Sequence, residues 1–143
     1  MESPRDSVTG KAGGATITIN YGSPSVKGRK IWGDLVPYGK VWRTGANQAT
    51  TFTTDKAIMV EGKPLPAGKY SFFAIPGEKG WVIIFNKTAN QWGAYEYKEK
   101  NDALRVTVKP QPVSSSSERL TYTITDKGIS LLWEKLLVPV SIK

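Results

Sequence analysis

Neither cysteine nor histidine occurs in the 143 residues. Without cysteine there is no disulfide, no thiolate nucleophile and no cysteine-held zinc or iron–sulfur centre. Without histidine the commonest general base and the commonest transition-metal ligand are missing, which excludes His-based triads and zinc catalysis by the usual ligand sets. Long apolar runs are missing too. The longest, Trp81 to Phe85, has strand length and falls far short of the roughly 20 apolar residues of a membrane-spanning helix. Acidic residues are outnumbered 12 to 20 by Lys and Arg, for a net charge of +8. That balance suits an anionic partner or surface, or serves solubility alone, and the lysines are scattered along every strand. No motif calls for a metal or any other cofactor.

What is present reads as short strands and turns. Ser3 to Ser7 is a polar lead-in and Gly10 to Gly14 a turn, after which Ala15, Ile17, Ile19 and Tyr21 alternate with Thr16, Thr18 and Asn20. Thr-rich Ala49 to Thr54, then Ala57 to Glu61, then Lys69 to Ile75 follow, each bounded by turn residues. Pro76 to Gly80 closes a hairpin onto Trp81–Phe85, which is apolar on both faces and is therefore expected to be central and covered on both sides. Leu104, Val106 and Val108 alternate, as do Leu120, Tyr122 and Ile124, with Pro110 to Ser117 between them expected as a loop. Asp126-Lys127-Gly128 turns the chain into Ile129, Leu131 and Trp133. Turn signals at 8–12-residue spacing, with helix confined to a turn or two between Ser25 and Leu35, predict one all-β domain over 1–143. The expected architecture is a two-sheet, mainly antiparallel, jelly-roll-like sandwich.

One stretch breaks this pattern. Tyr21 to Phe52 holds Gly22, Gly28, Gly33, Gly39 and Gly45 with Pro24 and Pro37, and packs Lys27, Arg29, Lys30, Lys40 and Arg43 among Trp32, Tyr38 and Trp42. Asp34 is its only acid. A long irregular segment inside a β domain is functional or disordered, and its large aromatics argue for order. Lys30-Ile31-Trp32 and Lys40-Val41-Trp42 repeat a cation–apolar–Trp pattern. Exposed, these rings would offer flat platforms for sugar faces or bases; buried, they would plug one end of the core with lysine stems laid over them. Arg43 with Asn47 offers a donor fork for a carboxylate or phosphate, or pins its own loop through backbone carbonyls. The residues nominated for ligand binding are Tyr38, Lys40, Trp42, Arg43 and Asn47. If Gly39 to Arg43 is a strand, Lys40 and Trp42 share one face; if it is a turn, Arg43 and Asn47 join them around a cleft.

Other constellations carry less. Glu96, Glu99 and Asp102, interleaved with Lys98 and Lys100, look more like a solvated hairpin tip than an acid/base pair or a calcium loop. Gly10 to Gly14 precedes a strand and lacks the helix of a phosphate loop. Gln91-Trp92-Gly93-Ala94-Tyr95 borders the same pocket or seals a sheet edge.

The words Val36-Pro37-Tyr38-Gly39-Lys40-Val41-Trp42-Arg43-Thr44-Gly45-Ala46-Asn47 and Leu65-Pro66-Ala67-Gly68-Lys69-Tyr70 stand in order with Gln91-Trp92-Gly93-Ala94-Tyr95 and Leu104-Arg105-Val106-Thr107-Val108. With them, nearly the whole chain resembles the bacterial family catalogued as domain of unknown function 2911. The resemblance implies an exported protein of Bacteroidetes-type bacteria, periplasmic or secreted, with no established activity and no site residue to carry over. Met1 followed by Glu2-Ser3-Pro4-Arg5 is no secretory leader, so on this reading Met1 replaces a removed signal peptide.

Three function classes follow. The first is an envelope binding module for an acidic saccharide or another small anion through 21–52. A structural or protein-interaction domain is the second. The third is an enzyme without His or Cys, relying on Asp34, Glu96, Lys40, Tyr38 or Arg43, none of them in diagnostic pairs. Nucleic-acid binding ranks lowest, for no recognition motif is present.

Overall fold

In chain order the strands are β1 (Arg5–Ala12), β2 (Ala15–Gly22), β3 (Thr51–Thr54), β4 (Ile58–Val60), β5 (Lys63–Leu65), β6 (Gly68–Ile75), β7 (Trp81–Asn86), β8 (Asp102–Val108), β9 (Gln111–Thr125) and β10 (Gly128–Ser141). The computed structural model describes residues 3–92 and 97–143. Gly93, Ala94, Tyr95 and Glu96, singled out above, lie outside the described residues. A six-stranded antiparallel sheet runs β1-β2-β3-β6-β7-β8, and two hairpins, β9–β10 and β4–β5, complete the all-β chain. Helix is limited among the described residues to one 3-10 turn, Glu99–Asn101.

The alternation in β2 settles which face is buried. Ala15, Ile17, Ile19 and Tyr21 are buried, whereas Thr16, Thr18 and Asn20 are half-exposed. The main core continues through Phe52, Phe72, Ile83 and Phe85 of the sheet to Leu120, Tyr122, Leu131 and Val140 of the β9–β10 hairpin. Leu104 and Ile124, expected inside, sit half-buried at its edge. Strand β7 is apolar on both sides because both are covered. Trp81, Ile83 and Phe85 join the main core, and Ile84 packs with Phe73 and Ala49 on the opposite face. It lies between β6 and β8, one place from the edge of the sheet rather than at its centre.

Two sequence expectations are corrected. Ser3 to Ser7 and Gly10 belong largely to β1, which pairs with β2 from Arg5↔Gly22 to Ala12↔Ala15. As an edge strand exposed over Arg5 to Ser7, it carries no alternating apolar face to announce it. Its turn is Gly13-Gly14, at φ 58° and 79°, the positive-φ pair that a two-residue hairpin loop demands. Ser114 to Ser117, expected as a mobile loop, lie within β9, whose pairing partner β10 carries the ladder out to Gln111↔Leu137. The register shifts on both sides of Glu134, which sits at φ 56°. A long partner strand, not serine propensity, decides the local structure there.

Candidate functional site

Residues 23–50 form turns and isolated bridges rather than strands, and backbone bonds tie them to three strands. On β9, the Val26 amide donates to Glu118 O at 2.8 Å and the Leu120 amide to Pro24 O at 3.0 Å. On β6, Trp42 and Ala74 exchange N–H···O bonds of 2.7 and 3.0 Å. Against β2, the Ala46 amide donates to Gly22 O at 3.3 Å. The approach at Gly22 is so close that a Cβ there would lie 2.2 Å from Ala46 O, so only glycine fits.

The two Lys-apolar-Trp repeats converge. Trp32 and Trp42 meet edge-on at 5.7 Å, and both contact Trp81 and Trp133. Trp42 and Trp133 are nearly parallel, 13° apart at 6.1 Å. The rings therefore close one end of the core. Trp133 donates its indole N–H to Glu118 O at 3.2 Å, while those of Trp32 and Trp81 are buried without a hydrogen-bond partner among the described residues. Lys30 and Lys40 remain exposed.

Beside this cluster opens a cleft of about 730 Å³. Leu35, Val36, Val41, Trp42 and Trp133 supply its apolar wall, and Lys27, Arg29 and Arg43 its cations. Ser3, Ser25 and Asn47 add polar groups, and no carboxylate lines it among the described residues. Of the five nominated residues, Trp42, Arg43 and Asn47 thus come together. Tyr38 and Lys40 do not line the cleft: Tyr38 lies over Gly33, where a Cβ would sit 2.9 Å from its ring, and Lys40 points into solvent. Trp42 packs on the main core and Val41 on the Phe73–Ile84 cluster, so these two side chains divide between faces as strand neighbours do, at an antiparallel bridge from Trp42 to Ala74.

Arg43 differs from the chain's other four arginines. Arg5 donates to Gln48 O at 2.8 Å and Ala49 O at 3.2 Å; Arg119 donates to Ser23 O at 2.8 Å. Arg105 holds Asp102 and Tyr97, both at 2.7 Å. Arg29 pins the loop through Val26 O at 3.0 Å and Ser25 O. The Arg43 guanidinium, half-buried, has no hydrogen bond or ion pair among the described residues. The loop-pinning role considered for Arg43 belongs to Arg29.

The backbone around Arg43 is constrained. Thr44 is buried at φ 56°, a β-branched residue in a region that such residues avoid. It is held from three sides: its Oγ1 donates to Phe72 O at 3.0 Å, and its carbonyl accepts from Tyr122 Oη at 2.7 Å and Thr50 Oγ1 at 3.2 Å. Asn47, at φ 63°, donates its amide N–H to Ser3 O at 3.2 Å. Full burial pushes the Tyr122 phenol well above its ordinary range, so it stays a donor.

Sequence reasoning missed Trp133 and Arg29 as cleft residues. Alternation placed Trp133 on a strand but could not bring β10 beside the loop. The acids at the second irregular region are structural where described. Asp102 accepts from Asn86 at 3.0 Å, Tyr97 at 2.6 Å and Arg105 at 2.7 Å, and Glu99 lies 3.5 Å from Arg105. No group of three or more His, Cys, Asp or Glu is gathered for a metal ion among the described residues. No helix there is long and apolar enough to cross a membrane.

Fold and cleft together define an all-β, mainly antiparallel domain with a basic, tryptophan-walled opening at one end of its core. The model of the family described as proteins of unknown function, DUF2911, matches residues 3–142, and the chain belongs to that family. No curated protein and no solved structure matches it.

Proposed function

We propose that the chain is a binding module whose cleft takes a small anionic ligand, with Arg43 as the anion-reading fork and Trp42 as the adjoining platform. One observation carries this reading: of five arginines, four bind protein groups, and the fifth faces a cleft that no carboxylate lines among the described residues. A half-buried guanidinium without a protein partner favours an incoming carboxylate or phosphate, which it can meet with two parallel hydrogen bonds. The strained, triply bonded Thr44 supports the reading, because strain held in place by its surroundings clusters at binding sites. The family resemblance supports an envelope location, periplasmic or secreted. The β9–β10 hairpin, sharing one core with the six-stranded sheet, supports reading the architecture as a two-layer sandwich.

The test is calorimetric titration of small carboxylates, phosphate and acidic saccharides against wild type, Trp42→Ala and Arg43→Met. Circular dichroism and melting curves establish that each variant is folded. At least one anion binds wild type, its affinity falls with salt, and Arg43→Met weakens it about tenfold or more, since losing a charge-assisted pair costs about 1.5–3 kcal/mol. Equal binding by all three proteins would make the loop mere scaffold.

A further inference from the structure

We infer that the cleft's ligand carries two anionic groups rather than one, and that Arg29 is the second reading residue, taking the group that Arg43 leaves. This rests on the anion-binding reading and deepens it. Carboxylates and phosphates satisfy it alike, because what matters is the number of anionic groups and the distance between them.

Charge is the first ground. Arg29 and Arg43 both line the cleft, and no carboxylate lines it among the described residues. Neither guanidinium has an ion pair among those residues. The carbonyl bonds of Arg29 orient it without neutralising it, since a carbonyl carries no net charge. One anionic group on Arg43 therefore leaves the positive charge of Arg29 unmatched in the same cleft.

Hydrogen-bonding capacity is the second. Arg29 commits its Nε hydrogen to Val26 O at 3.0 Å and one Nη2 hydrogen to Ser25 O. Its Nη1 group and the other Nη2 hydrogen make no bond among the described residues. The two bonds it does make hold the side chain against its own turn, so little rotamer freedom is left to lose when a ligand group arrives. Arg29 is thus both a pin for the loop and a pre-set donor.

The cleft has room for both contacts at once. At about 730 Å³ it is larger than one carboxylate or phosphate needs, and it lies within the range of sites for small organic ligands. Once the first group sits on Arg43, the second meets Arg29 as part of the same molecule, so two modest contacts reinforce each other. That gain depends on a spacer that matches the separation of the two guanidiniums. Arg29 is exposed and Arg43 half-buried, so the second contact is the more strongly screened by salt.

The full chain is titrated by calorimetry at low ionic strength with butyrate, inorganic phosphate, malonate, succinate, glutarate and adipate. At least one dicarboxylate is expected to bind about tenfold or more tighter than butyrate and phosphate, the scale of one added charge-assisted contact. Its affinity is expected to fall more steeply with salt than that of butyrate. Arg29→Gln is expected to abolish most of the dicarboxylate's advantage and to leave butyrate unchanged. The comparison of ligands on the unaltered chain needs no variant, so a loop loosened by Arg29→Gln does not shelter the inference. Butyrate or phosphate binding as tightly as every dicarboxylate overturns it while the anion-binding reading stands. A dicarboxylate preference that persists in full in folded Arg29→Gln overturns it as well. If no anion binds wild type at millimolar concentration, both fall together.

Discussion

Tyr122, on β9, donates its hydroxyl to the Thr44 carbonyl at 2.7 Å, tying the residue after Arg43 to the β9–β10 hairpin. The bond is buried at both ends, and Thr44 is a β-branched residue at positive φ. Strain of this kind persists only when the surroundings over-determine it.

Tyr122→Phe keeps the ring and removes the donor. The Thr44 carbonyl then retains Thr50 Oγ1 at 3.2 Å as its side-chain partner. Urea unfolding is expected to show a loss of about 1 kcal/mol with an unchanged slope, the usual worth of one buried hydrogen bond. A loss under a few tenths of a kcal/mol would show that the clamp contributes nothing.

Gly22→Ala brings a methyl group to 2.2 Å from the Ala46 carbonyl. The obstacle is backbone, so the loop itself must shift. Stability is expected to fall by about 1–3 kcal/mol, the usual range for overpacking, and any cleft ligand to weaken with it. Wild-type melting and wild-type affinity in the same variant would contradict the close contact.

Ile83→Ala removes a buried side chain, 2% exposed, from the interior strand β7. Chemical denaturation should report a loss of about 2–5 kcal/mol. Less than half a kcal/mol would place Ile83 outside the core.

Burial first, then the hydrogen bond to Asp102, pushes the Tyr97 phenol up to about 12. The folded chain thus keeps a proton that the unfolded chain releases near pH 10, so this contribution is complete below pH 10 and disappears as pH rises toward 12. Tyr97→Phe is expected to flatten the fall in urea midpoint between pH 10 and 12. Identical slopes in both proteins would refute the assignment.

The strands that alternate cleanly were legible in the sequence because burial on one face imposes a period of two. Ile17, Ile19 and Phe72 lie inside as that pattern requires, and the two-faced apolarity of Trp81 to Phe85 matched an interior strand. Strand β1 was not legible, since its edge position removes the pattern, and neither was the outer half of β9, whose partner lies on another segment. In the loop, composition singled out Trp42, Arg43 and Asn47 but also Tyr38 and Lys40, which do not line the cleft. Trp133 joined the cleft through tertiary packing alone, which no local window reveals.

The gathering of Trp32, Trp42, Trp81 and Trp133 has an optical consequence. Indoles at 5.2–6.1 Å pass excitation among themselves faster than they emit, so the chain's ultraviolet fluorescence reports mainly on this one region. Trp92, 51% exposed, is the remaining indole and contributes a solvent-like background. A change at the Trp42 ring should therefore dim or shift the emission of the whole group, and Trp92→Phe would leave a protein whose intrinsic emission comes from the four clustered indoles, two of which line the cleft.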